Sequence, residues 1–205
     1  MQESGCGCHA FEMGTRSRAE RRWLLAGYGG LAGFFALEAL TRKPGAASSL
    51  AASPDDRGTT RMIVTAYLVA AAAPLTLRRV PLPQLPQLAG PVGVALQASG
   101  LALRTWSMRT LGTSYTRTLR TEDQQHVVDT CPYRFVRHPG YAGSLLTWAG
   151  FGLTSRSVPV VLLAAALLGR AYRQRIVAEE NLLERELPGY AEYIQRTKRI
   201  VPFVW

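Results

Sequence analysis

The run Arg137-His138-Pro139-Gly140-Tyr141-Ala142-Gly143-Ser144-Leu145-Leu146-Thr147-Trp148-Ala149-Gly150-Phe151-Gly152-Leu153-Thr154 decides the fold, because a basic, proline-punctuated entry is followed by a stretch without any charge. Pro139 disfavours helix at His138 and suits the first turn of a helix that follows, so a loop enters an apolar helix here. After only Ser155-Arg156 a second uncharged stretch runs from Ser157 to Gly169. At about 1.5 Å per residue each stretch is roughly 20 Å long, short of the roughly 30 Å hydrocarbon core of a bilayer. The two therefore read as a tight helical hairpin over 141–172, which either recruits flanking residues such as Tyr172 to span or enters the bilayer part-way.

Upstream, Met62 to Leu77 and Leu88 to Leu103 carry no charged residue, and Trp23 to Leu40 carries only Glu38. Each is near the length of a membrane span. Backbone polar groups in lipid must be satisfied within the segment, so all five stretches are expected to be helices. The expected fold is an all-α membrane protein with about five transmembrane helices, cytosolic C-terminal amphipathic helices and an irregular loop. The implied organisation is a polar tail over 1–22, three spans over 23–104 and a region of loop, helical hairpin and C-terminal helices over 105–205. Gly29 and Gly33 form a small-xxx-small pair that suits close packing of the first span or is chance in a small-residue-rich helix. Pro83, Pro86 and Pro91 mark Leu82 to Pro91 as a connector. The Thr113-Ser114-Tyr115-Thr116-Arg117-Thr118 run favours an extended form.

A net charge of +10 raises nucleic acid as a partner, but the basic residues flank apolar segments and form no continuous face. Juxtamembrane arginine explains the charge, and no nucleic-acid partner is expected. With five crossings and an outer N-terminus, 17 of the 24 Lys and Arg fall on the inner side, which puts the C-terminal half at the cytoplasmic face. Only two basic residues are lysine, a bias that fits a GC-rich bacterial genome and an inner-membrane location. Cys6, Cys8 and Cys131 are too scattered for a disulfide framework. Cys6-Gly7-Cys8-His9 lacks a second ligand pair, so it reads as part of the tail and no metal site is expected.

His138 and Tyr141 stand at a helix N-terminus, whose N–H groups suit an anion. Equally, Arg137 and His138 could anchor the helix to headgroups while Tyr141 joins an interfacial aromatic belt. The second chemical element is Arg170 to Leu187, which Pro188-Gly189 ends. At helical spacing Tyr172, Ile176, Leu183 and Leu187 form one apolar stripe, and Glu180 falls about 40° from Ile176, inside it. A carboxylate on a buried face requires a partner. Glu179 lies at the stripe's edge, one turn from Arg175, where an ion pair or a solvated surface bridge is open to it.

These residues resemble the isoprenylcysteine carboxyl methyltransferases and related bacterial membrane methyltransferases. The similarity runs through His126-Val127-Val128, Pro132-Tyr133-Arg134 and Arg137 to Gly143, then Arg175, Glu179-Glu180, Leu183, Gly189-Tyr190, Tyr193 and Pro202-Phe203. Cys131 departs from the usual glycine. The resemblance implies S-adenosylmethionine as cofactor, held by His138, Tyr141 and Glu180, with Glu179, His126 and the backbone near Gly143 as further candidates. It implies that Arg175, and Arg134 or Arg137, face a lipophilic acceptor entering from the bilayer. That acceptor could be an isoprenoid carboxylate, a phenolic lipid, a thiol or a phospholipid. A similar Arg-His-Pro-x-Tyr-x-Gly loop occurs in NADPH-dependent membrane sterol reductases, which is the competing enzyme reading. A lipid-binding scaffold without catalysis is the non-enzymatic one.

Overall fold

Val158–Glu186 forms one uninterrupted helix of 29 residues, about 43 Å long at 1.5 Å per residue. The sequence expectation places a division near Arg170, where charge begins. No residue there breaks a helix, and Arg, Gln, Ala and Glu all propagate one. The charges mark a change of surroundings along one continuous helix.

The structure is a computed structural model describing residues 18–41, 56, 58–112 and 127–201. Its helices are α1 (Arg18–Leu40), α2 (Thr59–Thr76), α3 (Ala89–Leu111), α4 (Pro139–Thr154), α5 (Val158–Glu186) and α6 (Tyr190–Arg196). Among the described residues extended pairing is limited to two isolated bridges, Gln84 with Ser157 and Val136 with Lys198. The expected extended Thr113–Thr118 run, His126 and the N-terminal cysteines lie outside the described residues. Helix α3 continues beyond the expected span through Arg104 and stops at Gly112, whose φ of 51° closes the helix. Pro91, read as connector, sits in the first turn of α3, where a missing N–H does no harm.

Helices α3 and α4 cross with their backbones in close approach. A Cβ on Gly93 would lie 2.6 Å from the Gly150 carbonyl, and one on Gly100 would lie 2.5 Å from the Gly143 carbonyl. The reciprocal distances are 2.5 and 2.6 Å, from Gly150 to Gly93 and from Gly143 to Gly100. Two glycines seven residues apart on each antiparallel helix thus form a matched pair of contacts. The expected packing pair is corrected here: nothing lies within 4 Å of a Cβ on Gly29, and one on Gly33 would meet only Leu101, at 3.8 Å. On α1 it is Gly27 and Gly30 that accept neighbours, Thr154 and Gln97.

Glu20–Leu40 and Thr59–Arg79 are long and apolar enough to cross a membrane. Leu25, Leu40, Leu68, Leu75 and Leu162 are more than half exposed, a surface suited to lipid. Beneath it Trp148, Phe151, Leu168 and Ala171 are fully buried. Tyr67 stacks on Trp148 with ring centroids 4.5 Å apart. Because α4 has 16 residues and α5 has 29, the hairpin brings the Tyr172 to Glu180 turns of α5 alongside the start of α4.

Candidate active site

The loop before α4 runs parallel to the segment after α6, with Arg137 N–H donating to the Lys198 carbonyl at 2.7 Å and His138 N–H to the Arg199 carbonyl at 2.9 Å. This pairing fixes the approach to Pro139. His138 is the residue just before the helix, in a non-helical conformation, with Pro139 in the first turn. Tyr141 and Ala142 both donate their N–H to the His138 carbonyl, at 3.1 and 3.0 Å, and Pro139 has no N–H. The N–H groups of Tyr141 and Ala142 are therefore engaged within the first turn.

Glu180 is buried, at 5 % exposure. Its Oε1 accepts from Arg137 Nε at 2.8 Å and lies 3.2 Å from His138 Nε2, while Oε2 accepts from Arg199 Nε at 2.7 Å. The partner that its place on the apolar stripe demanded is thus three side chains from two other segments. Burial alone would raise the Glu180 carboxyl, but the hydrogen bonds from His138, Arg137 and Arg199 outweigh it and hold it at about 2. Arg137 also donates through Nη1 to the carbonyls of Ile194, at 3.1 Å, and Thr197. It clamps the end of α6 to the site.

One turn earlier, Glu179 is half-buried and its Oε2 accepts from the Tyr141 hydroxyl at 2.5 Å. Tyr141 in turn accepts from Arg175 Nε at 3.3 Å and stacks on His138, centroids 5.5 Å apart at 15°. The Arg175 to Glu179 link is made through this hydroxyl. The close ion pair of Arg175 is with Asp56, Nη1 to Oδ1 at 2.6 Å, supported by Thr59 and Thr60 hydroxyls at 3.2 and 3.3 Å. Asp56 is buried and accepts from the Thr59 and Thr60 hydroxyls, each at 2.8 Å. Burial opposes its charge, yet those threonines and Arg175 hold its carboxyl below the ordinary value.

The Tyr190 side chain completes the site from the first turn of α6. It is 4 % exposed, its hydroxyl has no hydrogen-bond partner among the described residues, and burial followed by the charges of Glu179 and Glu180 raises its pKa. Behind the site, Arg104 donates to the Gly140 carbonyl at 2.9 Å, to Ser144 at 2.7 Å and, through Nε, to Glu38 at 2.7 Å. This partly buried pair pins the first turn of α4 to α1 and α3.

Of the residues singled out from sequence, Arg137, His138, Tyr141, Arg175, Glu179 and Glu180 meet in one place. Gly143 does not: it faces α3, where a Cβ would sit 2.8 Å from Arg104 N, so its role is helix contact. Arg134 is exposed and lines, with Asp129 and Arg196, a cleft of about 640 Å³ apart from Glu180. His126 is outside the described residues. Sequence reading missed Asp56, Arg199 and Arg104. Glu38, as the lone charge in its apolar stretch, signalled that a partner such as Arg104 was needed; nothing marked Asp56 or Arg199.

Comparison with known proteins bears on this geometry directly. Residues 93–185 match the isoprenylcysteine carboxyl methyltransferase (ICMT) family, a region that includes both α4 and the Arg175 to Glu180 turns. A probable protein-S-isoprenylcysteine O-methyltransferase of Oryza sativa subsp. indica is 35% identical over 118 residues, 55% of this chain and 61% of the relative. The cobalt-zinc-cadmium resistance protein CzcN of Cupriavidus metallidurans is 33% identical over 76 residues, 37% of this chain and 35% of that protein. The chain thus spans about three fifths of the rice relative's length. The structure of a eukaryotic intramembrane Ras methyltransferase ICMT superposes with a TM-score of 0.65 at 15% identity, covering 92% of this chain and 69% of that one. The fold is therefore that of an ICMT-like membrane protein; the family match bears out the resemblance read in the sequence over α4 and most of α5 and extends upstream into α3.

Proposed function

We propose that this chain is an integral-membrane methyltransferase that takes its methyl group from S-adenosylmethionine and passes it to a lipophilic acceptor. The observation that supports this most is the meeting of the Arg137 to Tyr141 turn with Glu179 and Glu180, two motifs separated by 38 residues between Tyr141 and Glu179. The family match across both and the fold likeness agree with it.

The residues present suit that cofactor chemically. It is a zwitterion bearing an additional sulfonium charge, and the site offers carboxylate, guanidinium and aromatic faces in close sequence. The orphaned Tyr190 hydroxyl, buried beside Glu179 and Glu180, is a hydrogen-bonding group that a bound ligand would satisfy. His138, Tyr141, Glu179 and Glu180 would hold the cofactor, with His126 added from its own segment. Bound, it supplies an electrophilic methyl group. Glu180 acts by organising Arg137, His138 and Arg199 about it, and Glu179 presents a carboxylate towards positive charge. Arg175 stands on the acceptor side. What the protein contributes to a displacement of this kind is chiefly alignment of donor and acceptor and exclusion of water.

In this reading the chain crosses the membrane about five times, α4 and the first half of α5 forming the last hairpin. The active site faces the cytoplasm, in a bacterial inner membrane, with acceptor entering laterally from lipid. Calorimetric titration of detergent-solubilised protein with S-adenosylhomocysteine and with NADPH tests the proposal. Saturable binding of the first alone is expected, and binding of NADPH alone, or of neither, would refute it.

A further inference from the structure

The charges of the site divide unequally. Glu180 faces Arg137 and Arg199, so that side carries an excess of positive charge. Arg175 faces Asp56 at 2.6 Å and feels Glu179 as well, so among the described residues two carboxylates stand beside this one guanidinium. The Arg175 side chain is only 6 % exposed and that of Asp56 3 %. An anionic acceptor seeking Arg175 would have to take the place of Asp56 and leave a buried carboxylate uncompensated, or add a third negative charge beside two. Arg175 lies inside the region that matches the family, residues 93–185, and Asp56 lies outside it. The feature that neutralises the arginine therefore comes from a part of the chain that the family match does not reach.

We propose that Asp56 is a specificity-determining positioning residue that, by occupying Arg175, turns the site away from carboxylate acceptors and towards a neutral lipophilic acceptor with an ionisable hydroxyl or thiol. The proposal rests on the methyltransferase reading above. A neutral acceptor must lose a proton, and Glu179 is placed to receive it: Oε2 is taken by the Tyr141 hydroxyl, and Oε1 is the oxygen left for a proton. In the transfer the acceptor O–H bond breaks and its proton passes to Glu179 Oε1. The oxygen's electron pair forms the new bond to the donor methyl. The bond from that methyl to the donor sulfur breaks, its pair remaining on a sulfur that becomes a neutral thioether. A carboxylate acceptor needs no such base, so base action by Glu179, beside its part in holding the cofactor, serves only a protonated acceptor.

The test uses full-length protein in detergent and two probes of similar apolar length, a long-chain alkylphenol and an S-prenylated N-acetylcysteine. Wild-type protein is expected to methylate the phenol with a kcat/KM at least tenfold above that for the carboxylate. In the absence of cofactor, it should bind the carboxylate at least tenfold more weakly than the Asp56→Asn variant does. Asp56→Glu should restore the exclusion, which a merely structural role for Asp56 would not predict. A melting temperature that rises with S-adenosylhomocysteine in the variants, as in wild type, shows that the cofactor side is intact. Wild-type protein that prefers the carboxylate, methylates neither probe, or binds the carboxylate no better after Asp56→Asn overturns the proposal. Failure of wild type to bind S-adenosylhomocysteine instead strikes the underlying methyltransferase reading. Should Asp56→Asn not fold, the wild-type ratio of the two kcat/KM values decides alone.

Discussion

Glu180 is the residue on which the site turns. Its folded value of about 2, against an ordinary 4.5, amounts to about 3 kcal/mol of stabilisation of the ionised form. A depressed carboxyl contributes stability that is complete above its unfolded value and is lost as pH falls through the folded one. The melting temperature of wild type should therefore exceed that of Glu180→Gln at pH 7. The gap should narrow as pH drops from 4.5 towards 2; a gap constant over that range would contradict the assignment. Tyr190 makes the opposite kind of prediction. Because its hydroxyl bonds to nothing in the described protein, Tyr190→Phe should leave the apo melting temperature within about a degree of wild type or raise it. The same change should weaken S-adenosylhomocysteine binding several-fold, the loss of a ligand hydrogen bond being about 1 kcal/mol. Equal affinity in the two proteins would show that the hydroxyl does not meet the cofactor.

At the scale of elements, the glycines of the α3–α4 crossing separate packing from chance. Gly100→Ala and Gly143→Ala each drive a methyl group into backbone at about 2.5 Å and should cost at least 1–3 kcal/mol, the usual range for overpacking. Gly29→Ala meets nothing within 4 Å and should be neutral or slightly stabilising, since alanine is the better helix former. Melting temperatures in one detergent compare the three, and a Gly29 variant as damaged as the other two would sink this view of the packing. The same elements show what the sequence could tell. The start of α4 was legible because Pro139 restricts both itself and His138, a local effect. The inward turn of Glu180 was legible because helical phase is local too. The unity of α5 was missed because charge was read as an element boundary, when it marked only a change of surroundings. The packing glycines were missed because which face meets α3 is decided by partners far along the chain, Gly93 with Gly150 and Gly100 with Gly143.

The whole molecule works as a long helix laid against a short one. The 29 residues of α5 outreach the 16 of α4, and the overhang carries Arg175, Glu179 and Glu180 to the loop that enters α4. The returning segment after α6 then locks that loop through Arg137 and Arg199. Asp56 and Arg199 could not be picked out in advance, since each gains its meaning from a contact far along the chain, Asp56 to Arg175 across 119 residues. Isothermal titration of purified protein should show saturable binding of S-adenosylhomocysteine, weakened at least tenfold by Glu180→Ala and by His138→Ala, with no heat from NADPH. Saturable NADPH binding in its place, or S-adenosylhomocysteine bound equally well by wild type and both variants, would contradict it.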